Sequence, residues 1–477
     1  MAMTGKGVIK ELSSNGPGRV GLGLLTLLCV TAIVVVFTYP RDFGSEHWGN
    51  PSRWVNNPRS VPPAWTAAFD GGRLFRHHAV ALGEPTASEA TGRAFIQRFD
   101  LPVSFVAAEP PNFVALSMRG FEFHARPPII SAVLVRPDGA EVALFRHVLS
   151  AARAGESTPT TRHTDEPYRV VLSGDGSAGE ALARHFRTAY DVDLSSDQLR
   201  DDFEGWLFAT IVDGERSPLA GDYTVRVELM TATEEDSVET VEAVFGGAVF
   251  GLMGTDALGR DLAMGLLFGL PIALLIGLAT STVSTIIGTS LGLLSGYAGG
   301  RTDQVIQRAA DIVANIPVLP LLIFLVFIGG SQLWLILLVL VAFSWPGLTI
   351  MVRTMVLQLR HGQEVEAAVS LGASRKRIIA RHVFPHTASY IFAQLVFFAP
   401  AAVLAEAGLS FLGLGDPSIP TWGQILEHGF RTGAVFLGYW WWVIPPGLLI
   451  VLTAVTFMFL ALGMESVVDP RLKGARR

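Results

Sequence analysis

A single cysteine, Cys29, is all the thiol chemistry this chain holds. An intrachain disulfide and a cysteine-rich metal site are therefore excluded. Cys29 follows the bulky Leu28, where a lipoprotein cleavage site needs small residues, and reads as a packing cysteine inside the first apolar run. Basic residues form no long run or stripe and the formal charge is -6, so nothing points to nucleic acid. No G-x-x-x-x-G-K-[ST] occurs, and the chain cannot cradle nucleotide phosphates in a P-loop. His77, His78, His124, His147, His163 and His185 stand in no ligand spacing such as H-E-x-x-H, which predicts surface or hydrogen-bonded rings and no metal. Ser173 and Ser177 form no nucleophile elbow, so no catalytic residue is assigned.

What the chain has in quantity is apolar length. Half of its residues are hydrophobic, unevenly spread, and several runs reach the roughly 20 residues that a helix needs to cross a bilayer. Six spans are expected, at about 20–39, 262–294, 308–328, 333–351, 390–409 and 443–462. The first has Lys6, Lys10 and Arg19 before it and no small-x-small cleavage site after it, so it reads as uncleaved with its N-terminus inside. Gly265, Gly269, Gly277, Gly288 and Gly292 give the second span a small face suited to close helix packing. Arg308 and Asp311, at i, i+3, are expected to pair. Asn315, near Pro317 and Pro320, would either line a cavity or bond a neighbouring helix, and Glu406 would either line the exit of a path or pair with a neighbouring helix. Trp440, Trp441 and Trp442 read as an interfacial anchor.

Between the first two runs, 41–245 carries mixed charge and no spanning run, which predicts a domain outside the cytoplasm. Its start, rich in Trp and Pro, reads as extended chain near the membrane surface. Strands are expected at 113–123, 129–136, 140–145, 168–172, 206–212 and 223–229, and helices at 178–190 and 195–203. An antiparallel sandwich with a small helical insertion would result.

The stretch EVEAAVSLGASRKRIIARHVFP, about 364–385, is basic and polar between two spans. Good helix formers run from Glu364 to Leu371, Gly372 breaks them, and Ser374 can cap a second helix. Ile378, Ile379, Val383 and Phe384 gather on one side of it, while Arg375, Lys376, Arg377 and Arg381 cover the others. Ala367 and Ala368 thin one face of the first helix, where a partner's groove could approach. Upstream, Gly254-Thr255-Asp256-Ala257-Leu258-Gly259-Arg260-Asp261 precedes the second span, where Thr255 or Asp256 could cap the helix and Arg260 and Asp261 could anchor at the headgroups.

These motifs carry a resemblance. Glu366-Ala367-Ala368, three residues, Gly372, nine residues, then His382-Val383-Phe384-Pro385 resembles the EAA loop of membrane subunits of bacterial and archaeal ABC importers, with His382 and Phe384 where Ile and Leu are usual. The octet ending at Asp261 is similar to GTD-x-x-GRD of the second permease in dipeptide, oligopeptide and nickel systems. The turn 295–303, the run Ala405-Glu406-Ala407-Gly408-Leu409-Ser410-Phe411-Leu412-Gly413-Leu414-Gly415 and the ending Asp469-Pro470-Arg471-Leu472 resemble the same branch.

The expected fold is a polytopic α-helical membrane protein, six transmembrane helices with a mainly-β extracytoplasmic domain inserted between helices 1 and 2; the resemblance covers the helices and not this domain, which stands where ordinary members have a short loop. The parts would be 1–40, 41–245 and a five-helix core at 246–477. The resemblance implies that Glu366, Ala367, Ala368, Gly372, Ala373, Ser374, Arg377 and Pro385 form the loop coupling ATPase closure to transport. It implies no cofactor in this chain, ATP and Mg being bound by a partner ATPase. The partners would be a second permease in a heterodimer, two ATP-binding subunits and an extracytoplasmic solute-binding protein delivering peptide. Oligosaccharide or nickel chelate are alternatives to peptide. An ATP-independent transporter or channel, and a membrane-anchored enzyme, are readings of other classes. Both termini would be cytoplasmic in the inner membrane, satisfying the positive-inside rule through Lys6, Lys10, Arg301, Arg375, Lys376, Arg377, Arg381, Arg471, Lys473, Arg476 and Arg477.

Overall fold

The computed structural model describes residues 12–468 apart from 93, 154 and 175, so Lys6, Lys10 and the 469–477 ending lie outside the described residues. Two compact units emerge, one from Pro51–Asp261 and the other from the chain through Asn50 together with the chain from Leu262 onward.

The helical unit begins with α1 (Gly16–Thr38), four residues ahead of the expected run because the Asn15 side chain caps Gly18 N at 2.7 Å and Pro17 suits the first turn. The segment after it is not extended. Phe43–Trp48 forms a π-helical turn, Pro51–Arg53 opens the second unit as a 3-10 turn and Ala64–Ala68 forms another, since Pro at the start of a short turn gives up no needed N–H.

The second unit is a β-sandwich whose named strands pair antiparallel among the described residues, with one isolated parallel bridge between Arg76 and Val249. Its strands are β1 (His78–Leu82), β2 (Ala87–Thr91), β3 (Ala94–Phe105), β4 (Phe113–Phe123), β5 (Ile129–Val135), β6 (Glu141–Val148), β7 (Thr160–Arg162), β8 (Tyr168–Val171), β9 (Ala209–Val212), β10 (Glu215–Pro218), β11 (Gly221–Thr231) and β12 (Ser237–Gly246). One sheet runs β2-β3-β11-β5-β6 and the other β1-β12-β4-β7, with β8 beside β4. Period-2 alternation puts Tyr223, Val225, Val227 and Leu229 of β11 into one core with Leu116 and Met118 of β4. Between β8 and β9 come α2 (Gly176–Tyr190), α3 (Ser196–Asp201) and α4 (Phe203–Leu207), so the expected strand at 206–212 is half helix. Arg136, expected as a strand residue, is instead a buried tie: its guanidinium donates to the Leu207 and Ala209 carbonyls at 2.8 and 2.6 Å and pairs with Asp138 at 3.2 Å. The histidines find local partners too. His147 and His163 lie against Tyr168, and His124 bonds Asp236.

The remaining helices are α5 (Leu262–Ala298), α6 (Gly300–Asn315), α7 (Val318–Gly329), α8 (Leu333–Leu359), α9 (Gln363–Ser370), α10 (Arg375–Ile378), α11 (Phe384–Phe411), α12 (Trp422–Arg431) and α13 (Trp440–Val468). Among the described residues, five helices are long and apolar enough to cross a membrane, or six if the bent pair α6–α7 counts as one. That pair replaces the continuous helix expected at 308–328. Its arms meet at 77°, because Pro317 drives Ile316 out of the helical region to φ -75, ψ 125. Arg308 and Asp311 are both exposed and form no ion pair with each other among the described residues. The tryptophan anchor is also partly overturned. Trp440 is exposed, but Trp441 and Trp442 are buried, and Trp442 Nε1 donates to the Ile425 carbonyl of α12 at 3.1 Å. A buried indole finds its hydrogen-bond partner before it finds an interface.

The glycine face of α5 meets α8 at four-residue intervals. A Cβ at Gly288, Gly292 or Gly296 would lie 3.0, 2.7 and 2.7 Å from the side chains of Leu348, Val352 and Val356. Thr349 Oγ1 adds a buried hydrogen bond to the Gly288 carbonyl at 3.1 Å. Close backbone approach of this kind is how helices hold together in lipid, where burial of apolar surface gives no net drive.

Two outcomes are expected. Gly292→Leu should overpack the α5–α8 contact and cost about 1–3 kcal/mol, seen as a lower melting temperature of the detergent-solubilised chain. His77 has its pKa lowered to about 4 by burial and by neighbouring His78. The unfolded ring titrates near 6.5, so the unfolded state takes up the proton first as pH falls. Stability of the sandwich should be full above pH of about 6.5 and drop by on the order of 1–3 kcal/mol as pH approaches about 4. His77→Gln should flatten that profile in a limited-proteolysis titration.

Candidate functional site

The stretch 364–385 folds as the hairpin its sequence suggests. Leu371 caps α9, and the chain leaves it through a paired motif in which Gly372 N donates to Val369 O at 2.9 Å and Ala373 N to Ala368 O at 3.0 Å. This is the Schellman arrangement, and it requires the left-handed residue that Gly372 supplies at φ +76. Ser374 then holds the N-cap position of α10, extended at ψ 150, without a side-chain cap bond.

The second arm does not stop and restart at a fifth span. α10 passes through a π turn at Ile379–Val383 directly into α11. Pro385 explains the widened turn, since its ring would clash with the carbonyl four residues back in a regular helix. His386 Nε2 and Glu364 Oε2, 3.2 Å apart, span the open end of the hairpin.

One side of the hairpin is taken up by its own chain. Val365 and Ala368 of α9, Ile378 of α10, and Val383 pack in one cluster with Val352 and Val356 of α8, and Ala373 lies against it. Ala368 is therefore buried, and the thin face open to a partner is at Ala367 alone. Glu366, Ala367, Gly372, Ser374 and Arg377 are exposed, and Pro385 is half-buried. Sequence reading missed the two residues that protrude most, Val369 at 56 % and Leu371 at 88 % exposure. The motif held the signal. In a Schellman ending the contact runs between the residue after the glycine and the third from the helix end, here Ala373 and Ala368, which leaves Leu371 outside. The outer surface is thus an apolar knob between exposed Glu364 and Glu366 on one arm and Arg375, Lys376 and Arg377 on the other.

The octet 254–261 belongs to the sandwich unit and is a closed turn. Asp256 Oδ1 accepts from Leu258 N and Arg260 N, both at 2.9 Å, and Arg260 Nε donates to Oδ2 at 2.5 Å. Thr255 exchanges bonds with Val61, its N donating to Val61 O at 2.9 Å and its Oγ1 accepting from Val61 N at 3.2 Å. Asn57 Nδ2 donates to Gly259 O at 2.9 Å. Gly254 enters the turn at φ +71. Because α5 begins at Leu262, Asp261 adjoins its first turn and neither Thr255 nor Asp256 can be its N-cap. Arg260 turns inward to Asp256, with its side chain 11 % exposed, and is no headgroup anchor.

Asn315 ends α6, exposed, and donates to the Asp311 carbonyl of its own helix at 2.7 Å, so no helix-to-helix bond forms there. Glu406 is buried. Its carboxylate accepts from Ser410 Oγ of the same helix at 2.6 Å and from the Thr421 hydroxyl just before α12, which places it inside the chain and on no open exit within it. No group of three or more His, Cys, Asp or Glu able to hold a metal occurs among the described residues.

The chain is similar to known proteins over its C-terminal half. Residues 288–474 match the family described as binding-protein-dependent transport system inner membrane component. The dipeptide transport system permease protein DppC of Bacillus subtilis is 34% identical over 221 residues, covering 46% of this chain and 68% of the relative. The oligopeptide transport system permease protein OppC of Haemophilus influenzae is 35% identical over 219 residues, covering 46% and 70%. Among solved structures, an inward-facing form of the MetNI methionine ABC transporter aligns at TM-score 0.34 and 19% identity, over 46% of this chain and 100% of that one.

Asp256→Ala should open the octet turn by removing the acceptor from two amides and a guanidinium. A loss of about 2–4 kcal/mol is expected, with Asp256→Asn less affected, read as accelerated proteolysis of the sandwich unit.

Proposed function

The chain belongs to the inner-membrane permeases of binding-protein-dependent ABC importers, and from that membership we propose that it is one of two different permeases forming the path of a peptide importer. Members of this family are membrane subunits, not enzymes, and ATP and Mg act through partner ATPases. Two ATP-binding subunits would drive this one, and a solute-binding protein outside would deliver di- or oligopeptide. The α6–α7 pair would count as one span, giving six, with both termini cytoplasmic and the sandwich inserted between the first and second spans on the outer side.

One observation carries the coupling role. The hairpin of α9 and α10 buries one side against α8 and leaves Leu371 and Val369 exposed between acidic and basic arms. An apolar centre with a polar rim is the anatomy of a protein–protein interface. Nucleotide closure of the ATPases would move Glu366, Ala367 and Gly372 with their partner groove, and the clustered Val365, Ala368 and Ile378 would pass that displacement to α8. The octet at 254–261 would be a self-contained turn, held by Asp256, Arg260 and the Thr255–Val61 exchange. Asn315 would face the path at the bend of α6 and α7, and Glu406 would hold α11 to the segment before α12.

Gly372→Asp adds a side chain and a charge at φ +76, where a non-glycine residue is strained. The variant permease should still insert, while the ATPases detach or hydrolyse without transport. Copurification of the wild-type chain from its membrane in mild detergent, with mass spectrometry of retained proteins and small molecules, tests the assembly. A second permease, ATPases and a peptide-loaded binding protein are expected. A retained sugar or metal chelate would change the substrate and keep the mechanism. Normal transport by Gly372→Asp would strike the coupling assignment, and recovery of the chain alone under conditions that preserve known complexes would return the ATP-independent and enzyme readings.

A further inference from the structure

Two consecutive glycines, Gly299 and Gly300, separate α5 from α6, both with positive φ at +64 and +56. By itself such a joint is a swivel, because glycine crosses the left-handed region without penalty. The first arm of the bent pair would then be free to lag behind any motion of the helices around it.

A polar clamp closes that freedom. Asp303, in the first turn of α6, receives both prongs of Arg353 from α8, Nε to Oδ1 at 2.5 Å and Nη2 to Oδ2 at 2.6 Å. Ser295 Oγ, in the last turn of α5, donates to the same Oδ1 at 2.5 Å, and Gln307 Nε2 reaches Ser295 Oγ at 3.1 Å from one turn further along α6. The carboxylate thus joins three helices, and a forked guanidinium contact fixes orientation as well as distance. Arg353 stands between Val352 and Val356, the two α8 residues that meet both the glycine face of α5 and the apolar side of the hairpin. The hairpin and α6 are therefore fastened to the same turn of α8, one by packing and the other by charge.

We infer that Asp303 and Arg353 are positioning residues that carry displacement of the hairpin through α8 to the 77° bend between α6 and α7, where Asn315 sits. The inference rests on the coupling role proposed for the hairpin. Without the clamp, the same displacement would be absorbed at Gly299 and Gly300. Neither residue touches the hairpin's exposed knob, so their loss acts after ATPase docking and not on it.

The test uses the assembled importer in proteoliposomes with Cys29→Ser as background. Nitroxide labels at Arg308→Cys on α6 and Arg381→Cys beside the hairpin, both exposed positions, report whether the two move as one. Uptake of a mixture of synthetic di- to pentapeptides is measured against ATP hydrolysed. Wild type should give a narrow label distance distribution. Asp303→Asn should broaden it and lower peptide moved per ATP roughly tenfold, with the ATPases still bound. The exchange Asp303→Arg with Arg353→Asp should narrow the distribution again and recover most of the uptake, which guards against simple misfolding of the single variant. An unchanged distribution in Asp303→Asn, or an assembled exchange variant that stays broad, overturns the clamp. If the wild-type importer moves none of the peptides, the substrate reading fails while the distance distributions still decide the clamp. Retained transport by Gly372→Asp strikes the hairpin reading and with it the displacement the clamp would carry, an outcome separate from a failed clamp, which the distance distributions report on their own.

Discussion

Glycine spaced every four residues on α5 is the constraint on which the helical unit depends. At Gly288, Gly292 and Gly296 the missing side chain admits the backbone and branched side chains of α8, and Thr349 bonds a carbonyl across the seam. Apolar residues alone would not hold this pair, because lipid solvates them equally well. The seam brings Val352 and Val356 into register, and those residues are the floor on which the hairpin of α9 and α10 rests. A long helix pair thus becomes the base of a surface element.

Around that base, polar groups fasten the places where helices end or break. Trp422 Nε1 donates to the Leu266 carbonyl at 3.0 Å and ties α12 to α5, much as Trp442 ties α13 to α12. Asp303 binds the joint after α5. Glu406 holds the stretch leading into α12 through Thr421. The sandwich unit follows the same economy, with Arg136 satisfying two carbonyls at the end of its helical insertion and Asp256 closing the octet turn. Buried charge persists in each case because its hydrogen bonds are met.

Permease membership gives these contacts a direction. The hairpin presents Leu371 and Val369 outward, while its inner side is continuous with the α5–α8 pair. In the coupling role proposed for it, such an element would receive force on one face and deliver it on the other. The sandwich has its own core, and its strand pairings stay within it. That self-sufficiency suits an accessory role whose partner is set by surface chemistry.

Much of this was legible in the residue order. Apolar runs marked the helices, alternation marked β4, β5 and β11, and the glycine at 372 marked the elbow, because each of these signals is local. β3 was missed because Pro102 argues against a strand. It is tolerated since β2 pairs β3 only from Ala94 to Arg98 and leaves Pro102 a strand partner on one side. The orientation of the motif residues was not legible in their order: Ala368 faces inward, Leu371 outward, and Asp256 serves its own turn. Sequence by itself determined the kind of protein and the place of its elbow, through periodicity, length and glycine, which act over a few residues. Tertiary structure alone decided that Asp303 meets Arg353 fifty positions away while Arg308 and Asp311 form no ion pair with each other among the described residues, because packing between distant helices selects which charge has a partner.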